Sequence, residues 1–100
     1  MNLNKLMKQA QKMQEQMAKT QAELEEKTVE VSAGGKVTVV ANGAGEVLSI
    51  KIDKEIVDPN DVEFLEEVVL SGVKQAIEQG KALAQSEMTK ITGGLGMPGL

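Results

Sequence analysis

From Leu3 to Leu24 the side chains Leu3, Leu6, Ala10, Met13, Met17, Thr20 and Leu24 recur at alternating steps of three and four. This is a heptad seam held for three heptads with no Pro or Gly inside it. It predicts one helix from about Leu3 to about Glu26, capped by Asn2 or Asn4 and roughly 35 Å long. A rod of that length in a chain of 100 residues leaves material for one further layer, and so for one small domain with a modest core. The opposite face of the rod carries Lys5, Lys8, Lys12 and Lys19, with Glu15 the only acid among residues 1–22. Gln9, Gln11, Gln14, Gln16 and Gln21 fill much of the flanks, as good helix formers do. One helix thus presents an apolar stripe to one thing and a lysine stripe to another.

After Lys27 the apolar period drops to two. Val29, Val31 and Ala33 alternate with Thr28, Glu30 and Ser32; Val37, Val39 and Ala41 with Lys36, Thr38 and Val40; Leu48, Ile50 and Ile52 with Val47, Ser49 and Lys51. Gly34-Gly35 and Asn42-Gly43-Ala44-Gly45 are turn signals between these runs, which predicts a three-stranded antiparallel meander. Opposed residues share a face, so register follows from polarity. A two-residue turn at Gly34-Gly35 would set Ala33 against Lys36. A three-residue loop, Gly34 to Lys36, pairs Ala33 with Val37 and Val31 with Val39, and is preferred. A four-residue loop from Asn42 to Gly45 pairs Val39 with Leu48 and Val37 with Ile50, and sets Val40 beside Val47 on the outer face.

A second helix starts in Asp58-Pro59-Asn60-Asp61, with Asp58 or Asn60 as cap, and runs to about Ile91, stopping at Gly93-Gly94. Acids at 61, 63, 66 and 67 suit the positive end of its dipole. Its first half is apolar over a wide arc: Val62, Leu65, Val69, Val73, Ala76 and Ile77 on one face, with Phe64 and Val68 beside it. A helix so apolar is covered on more than one side. Gly72, Ala76, Gly80 and Ala84 repeat at four, a line along which another backbone can approach. The expected fold class is α+β in the order α-β-β-β-α, one domain over residues 1–92, followed by a flexible Gly-rich tail over 93–100. Strands of five to seven residues span roughly 17–20 Å, less than either helix. Leu3, Leu6, Met7 and Ala10 then project past the sheet, and a second copy of the chain is the simplest cover. The expected homodimer interface is Leu3, Leu6, Ala10, Met13, Gly72, Ala76 and Gly80.

Composition removes most chemistry. There is no His, Cys, Arg, Trp or Tyr, so the usual neutral-pH base, the thiol nucleophile and the bidentate phosphate clamp are all missing. Gly34-Gly35-Lys36 lacks the spacing of a phosphate-binding loop, and a strand follows where a helix N-terminus is required. Glu66-Glu67 and Asp58/Asp61 are explained by the helix dipole, and adjacent carboxylates on a helix do not face one another. Ser32, Ser49, Ser71 and Ser86 have no visible base. No enzyme, cofactor, metal or small-molecule substrate is expected. No apolar run approaches the ~20 residues of a membrane span, and no signal-peptide core opens the chain, which reads as soluble and cytoplasmic.

The net charge of −4 is unevenly spread. Residues 1–22 carry four Lys and one Glu, residues 23–67 four Lys and twelve acids, and residues 68–100 three Lys and two acids. An acidic middle between mildly basic ends steers a polyanion toward the ends. Spaced lysines without aromatics suit phosphate contact, so binding should be weak in sequence preference and strong in salt dependence.

The run from Leu6 to Met17, LMKQAQKMQEQM, resembles the opening helix of the YbaB/EbfC family of bacterial nucleoid-associated proteins. The Gly-rich hairpin before Val37, the pair Asn42-Gly43, the stretch Ile50 to Asp53 and the segment Thr92-Gly93-Gly94-Leu95 match in order, so the resemblance spans essentially the whole chain. It implies a small α/β dimer with protruding helices that binds double-stranded DNA, is associated with the nucleoid and can affect gene expression. Carried onto this chain, it implies DNA contact by Lys5, Lys8, Lys12 and Lys19 in the first helix and by Lys81 and Lys90 in the second. Two other readings compete. The heptad seam could recruit a protein partner while the lysines only keep the surface soluble. Helix 1 could dock on a membrane surface, but its apolar face is narrow and lacks an aromatic anchor.

Overall fold

A computed structural model describes residues 2–93. Helix α1 covers Leu3–Glu26, strands β1, β2 and β3 cover Thr28–Ala33, Val37–Asn42 and Val47–Ile52, a 3-10 turn covers Lys54–Ile56, and helix α2 covers Val62–Gly93. This is the expected α-β-β-β-α order. The tail expected over 93–100 lies outside the described residues except for Gly93, which closes α2. Asn2 caps α1 by accepting from the Lys5 N–H at 3.3 Å. Neither expected cap serves α2: its cap is Asp61, whose carboxylate accepts from the Phe64 N–H at 3.4 Å, while Asp58 accepts from the Asn60 N–H in the preceding turn.

The sheet is an antiparallel meander in the order β1-β2-β3. Its first hairpin has the expected register, Ala33 opposite Val37 and Val31 opposite Val39. Gly34 and Gly35 both take positive φ, 59° and 69°, which L side chains rarely adopt and which the tight turn requires.

The second hairpin differs from expectation. Asn42 stays in β2, its N–H donating to the Glu46 carbonyl at 2.9 Å, so the turn this bond closes encloses three residues, Gly43 to Gly45, and not the four from Asn42 to Gly45. The ladder then shifts between Val40 and Ala41, leaving Leu48 as the extra residue of a bulge. Val39 therefore faces Ile50 and Val37 faces Ile52, two positions beyond the expected partners. The expected Val40–Val47 couple does not form, because Val40 faces Ser49 and Val47 lies opposite Ala41, packed against the core.

The core is the inner face of β1 and β2 under α2. Val37, Val39, Ala41 and Ala76 are wholly buried, with Val31 and Ala33 nearly so. The small-residue line on α2 makes this contact possible. A Cβ on Gly72 would meet Val39 and Ala33, and one on Gly80 would collide with the Asn42 carbonyl. Gly72, Ala76 and Gly80 are thus used against the chain's own sheet, a correction to their expected place in a dimer interface. The close backbone they admit is β2.

Helix α2 lies over β1 and β2, and β3 is left largely uncovered: Leu48, Ile50 and Ile52 are 52%, 42% and 40% exposed. Beyond Gly80 the helix leaves the sheet and runs beside α1. Leu24 is buried at this junction, where its carbonyl accepts from the Gly43 N–H at 2.9 Å. Gln21, Leu24 and Glu25 of α1 and Ala84 and Met88 of α2 line one cleft there. The molecule is elongated, 71 × 25 × 16 Å. Its radius of gyration is 19.4 Å, against about 13 Å for a compact domain of this length.

Candidate nucleic-acid interface

Leu24 is the anchor of α1; Met13, Met17 and Thr20 are half-buried, and every residue from Asn2 to Lys12 is exposed. The seam therefore splits in two. Its C-terminal half packs on the body, and its N-terminal half, with Leu3, Leu6, Met7 and Ala10, stands clear of it. This happens because the strands are six residues long and α1 is 24.

Lys5, Lys8, Lys12 and Lys19 are all exposed on the far side of this rod. The ion pairs among the described residues are Lys27 and Lys90 with Glu87, and Lys36 with Asp53 and Glu55. None involves α1's own lysines, so four ammonium groups stand without a counter-charge. The first turn of α1 carries no acid, and the positive end of the helix dipole adds to their field.

The remaining lysines sort by partner. Lys36 closes the first hairpin, its ammonium 2.7 Å from Glu55 and 3.7 Å from Asp53. The Glu55 hydrogen bond, then the charge of Asp53, raises its pKa above the ordinary lysine value. Glu87 takes Lys27 at 3.2 Å and Lys90 at 3.4 Å; the hydrogen bond from Lys27 is the main reason its carboxyl lies below the ordinary range. Lys90 is thus already engaged by a neighbour on its own helix, whereas Lys81 is exposed and unpaired. The structure brings Lys5, Lys8, Lys12 and Lys19 onto one face and keeps Lys81 and Lys90 on the other helix of the arm.

Sequence reasoning missed a second exposed surface. Ile52, Leu65, Val69, Leu70 and Val73, with Glu66 beside them, line a largely apolar groove of about 440 Å³ between β3 and α2. The wide apolar arc of α2 was the signal for it, but the meander pattern assigned Ile50 and Ile52 to a covered face. Among the described residues no group of three His, Cys, Asp or Glu side chains could hold a metal ion. No described helix is long and apolar enough to cross a membrane.

Residues 1–95 match the model of the YbaB/EbfC DNA-binding family. The chain belongs to that family. YbaB/EbfC relatives include a nucleoid-associated protein of Clostridium novyi (strain NT), 55% identical over 101 residues that cover 100% of this chain and 89% of that protein. One from Ruminiclostridium cellulolyticum is 54% identical, covering 99% of this chain and 88% of that protein. The crystal structure of an uncharacterized protein from Helicobacter pylori has the same fold, with a TM-score of 0.68 over 95% of this chain and 97% of that one at 19% identity. YbaB/EbfC membership places the chain among non-enzymatic proteins, in agreement with the chemistry its composition excludes.

Proposed function

We propose that this protein is a nucleoid-associated homodimer that binds double-stranded DNA through Lys5, Lys8, Lys12 and Lys19 of α1, with Lys81 assisting from α2. The reading places it in the nucleoid, and so in the cytoplasm, where occupancy of DNA would alter expression of nearby genes. The observation that carries it is the unpaired, exposed lysine face on a helix that projects from an acidic body. Lys90 is a weaker contributor, because Glu87 competes with phosphate for its ammonium.

A second copy is proposed for the β3–α2 groove. Of its lining residues, Ile52 and Leu70 are 40% and 53% exposed, Leu48 and Ile50 of β3 are exposed as well, and β3 is an edge strand with unpaired backbone groups. Covering one such side chain is worth about 1.5–3 kcal/mol. Leu3, Leu6, Ala10 and Met13 remain candidates for a further contact between the projecting helices.

The test is a salt series on duplex DNA with wild type and the triple variant Lys5→Glu, Lys8→Glu, Lys12→Glu. The variant should bind more weakly and lose slope, each lost phosphate contact lowering the log–log dependence by about 0.9. Equal binding by both proteins, or none at low salt, would favour a protein-interaction module working through the exposed groove.

A further inference from the structure

A second residue type runs among the lysines of α1. Lys5, Gln9, Lys12, Gln16 and Lys19 follow at steps of four, three, four and three. At ~3.6 residues per turn they occupy one arc of about 80°. All five are exposed, and no side-chain hydrogen bond or ion pair within the described residues holds any of them. Gln11 and Gln14 lie on the opposite flank, about 140° or more from both Gln9 and Gln16. The helix segment that carries Lys5, Gln9 and Lys12 is exposed on every side. An α-helix with its side chains is about 10–12 Å across, and the major groove of B-DNA is about 12 Å wide.

Lysine and glutamine divide the work of such a contact. Lysine has donors only and serves phosphate. A glutamine amide has both donor and acceptor, which matches N7 and the N6 amino group of adenine in the major groove. We propose that Gln9 and Gln16 read adenines from the major groove while Lys5, Lys12 and Lys19 hold the flanking phosphates; this rests on the DNA-binding reading of α1 above. Seven residues of helix rise about 10.5 Å, close to three base-pair steps of about 3.4 Å. The two adenines therefore stand three base pairs apart. Two base contacts among many phosphate contacts give a modest preference, confined to A·T pairs at that spacing.

The experiment compares defined duplexes in fluorescence anisotropy titrations across a salt series. One duplex holds two A·T pairs three base pairs apart in a G·C background; a second is all G·C; a third sets the A·T pairs five apart. Wild type should favour the first over the second by about tenfold or more, and the third should show less preference. Gln9→Ala/Gln16→Ala should bring the ratio near one while keeping the wild-type salt slope, since no charge is removed. Alanine is the better helix former, so this variant keeps α1 folded, as circular dichroism will verify. Gln11→Ala/Gln14→Ala should retain the preference. A wild type that binds without preferring A·T, or a preference that survives Gln9→Ala/Gln16→Ala, overturns this inference alone. A wild type that binds no duplex at all overturns the DNA-binding reading together with it.

Discussion

Asn42 is 2% exposed and every polar atom of its side chain is used. Its Oδ1 accepts from the Ala44 and Glu46 N–H groups at 3.0 and 2.9 Å, and its Nδ2 donates to the Glu25 carbonyl at 3.2 Å and to the Glu46 carboxylate at 3.0 Å. One residue therefore joins the end of α1 to the β2–β3 loop. Asn42→Ala removes all four bonds and strands the Glu25 carbonyl; at about 0.5–1.5 kcal/mol each, with overlap, the loss should be about 2–4 kcal/mol, read as a lower urea midpoint. Gly80 sets two effects against each other. Alanine is the better helix former by about 1 kcal/mol, yet its Cβ would collide with the Asn42 carbonyl. That neighbour is backbone and cannot rotate away, so overpacking at about 1–3 kcal/mol prevails. Gly80→Ala should lower the thermal midpoint where an ordinary helical Gly→Ala raises it. Glu87 gives a pH dependence of known sign. Its folded pKa is depressed by Lys27, so the stabilisation is complete above the ordinary carboxylate value and is lost as pH falls through the depressed one. Glu87→Gln should flatten the acid side of the stability–pH profile and leave the region above pH ~6 without this slope.

Among the elements, α1 was legible in full, to its ends at Leu3 and Glu26, because a heptad seam, an Asn cap and the switch of period at Thr28 all agree. The first hairpin was equally legible, since the Gly34-Gly35 pair admits few turns and only one register keeps Val31 and Ala33 opposite apolar partners. The second hairpin was not. A bulge at Leu48 combined with a shorter loop moves the register by two, which preserves apolar alternation, so polarity could not detect it. The line of Gly72, Ala76 and Gly80 was visible as a close-approach surface, but spacing says nothing of which backbone approaches. For the candidate site, the lysine face was visible, and so was the i,i+3 spacing that lets Glu87 engage Lys90, whereas the pairing of Lys27 with Glu87 depends on the packing of α1 against α2. The same geometry divides α1 by stability. Residues 3–12 lack tertiary cover, and residues 68–80 of α2 sit on the sheet. Amide exchange should be fast in the first segment, slow in the second, and slowed in the first by saturating duplex DNA. An unchanged exchange pattern along α1 in the complex would place the contact elsewhere.

The whole molecule separates its charges along a 71 Å axis. Four unpaired lysines lie on the projecting helix, while residues 23–67 hold twelve acids against four lysines. On the proposed reading, DNA would be attracted to the arm and repelled by the sheet end of the body, which would leave that surface to a second copy. The groove between β3 and α2 lies at that end, remote from Lys5. A dimer through the groove would carry two lysine arms, and the second arm would bind at the high effective concentration set by the first. Ile52→Glu/Leu70→Glu tests this arrangement directly. Both residues are already exposed in the single chain, 40% and 53%, so the substitutions should leave the helix and sheet content seen by circular dichroism unchanged. In a two-fold interface each would appear twice, placing carboxylates against an apolar surface and against their own symmetry mates. Sedimentation at low micromolar concentration should then show a species of 10.7 kDa, and for wild type one of twice that mass. The salt slope of DNA binding should fall to about half, because half as many phosphates are neutralised per binding unit. Affinity should fall by more than the factor of two that counting arms would give, since the lost term is the intramolecular second contact. A monomer that retained the full slope would mean that one arm makes every phosphate contact. An undiminished dimer would move the interface from the groove to the bare seam of α1, where Leu3 and Leu6 become the next residues to charge.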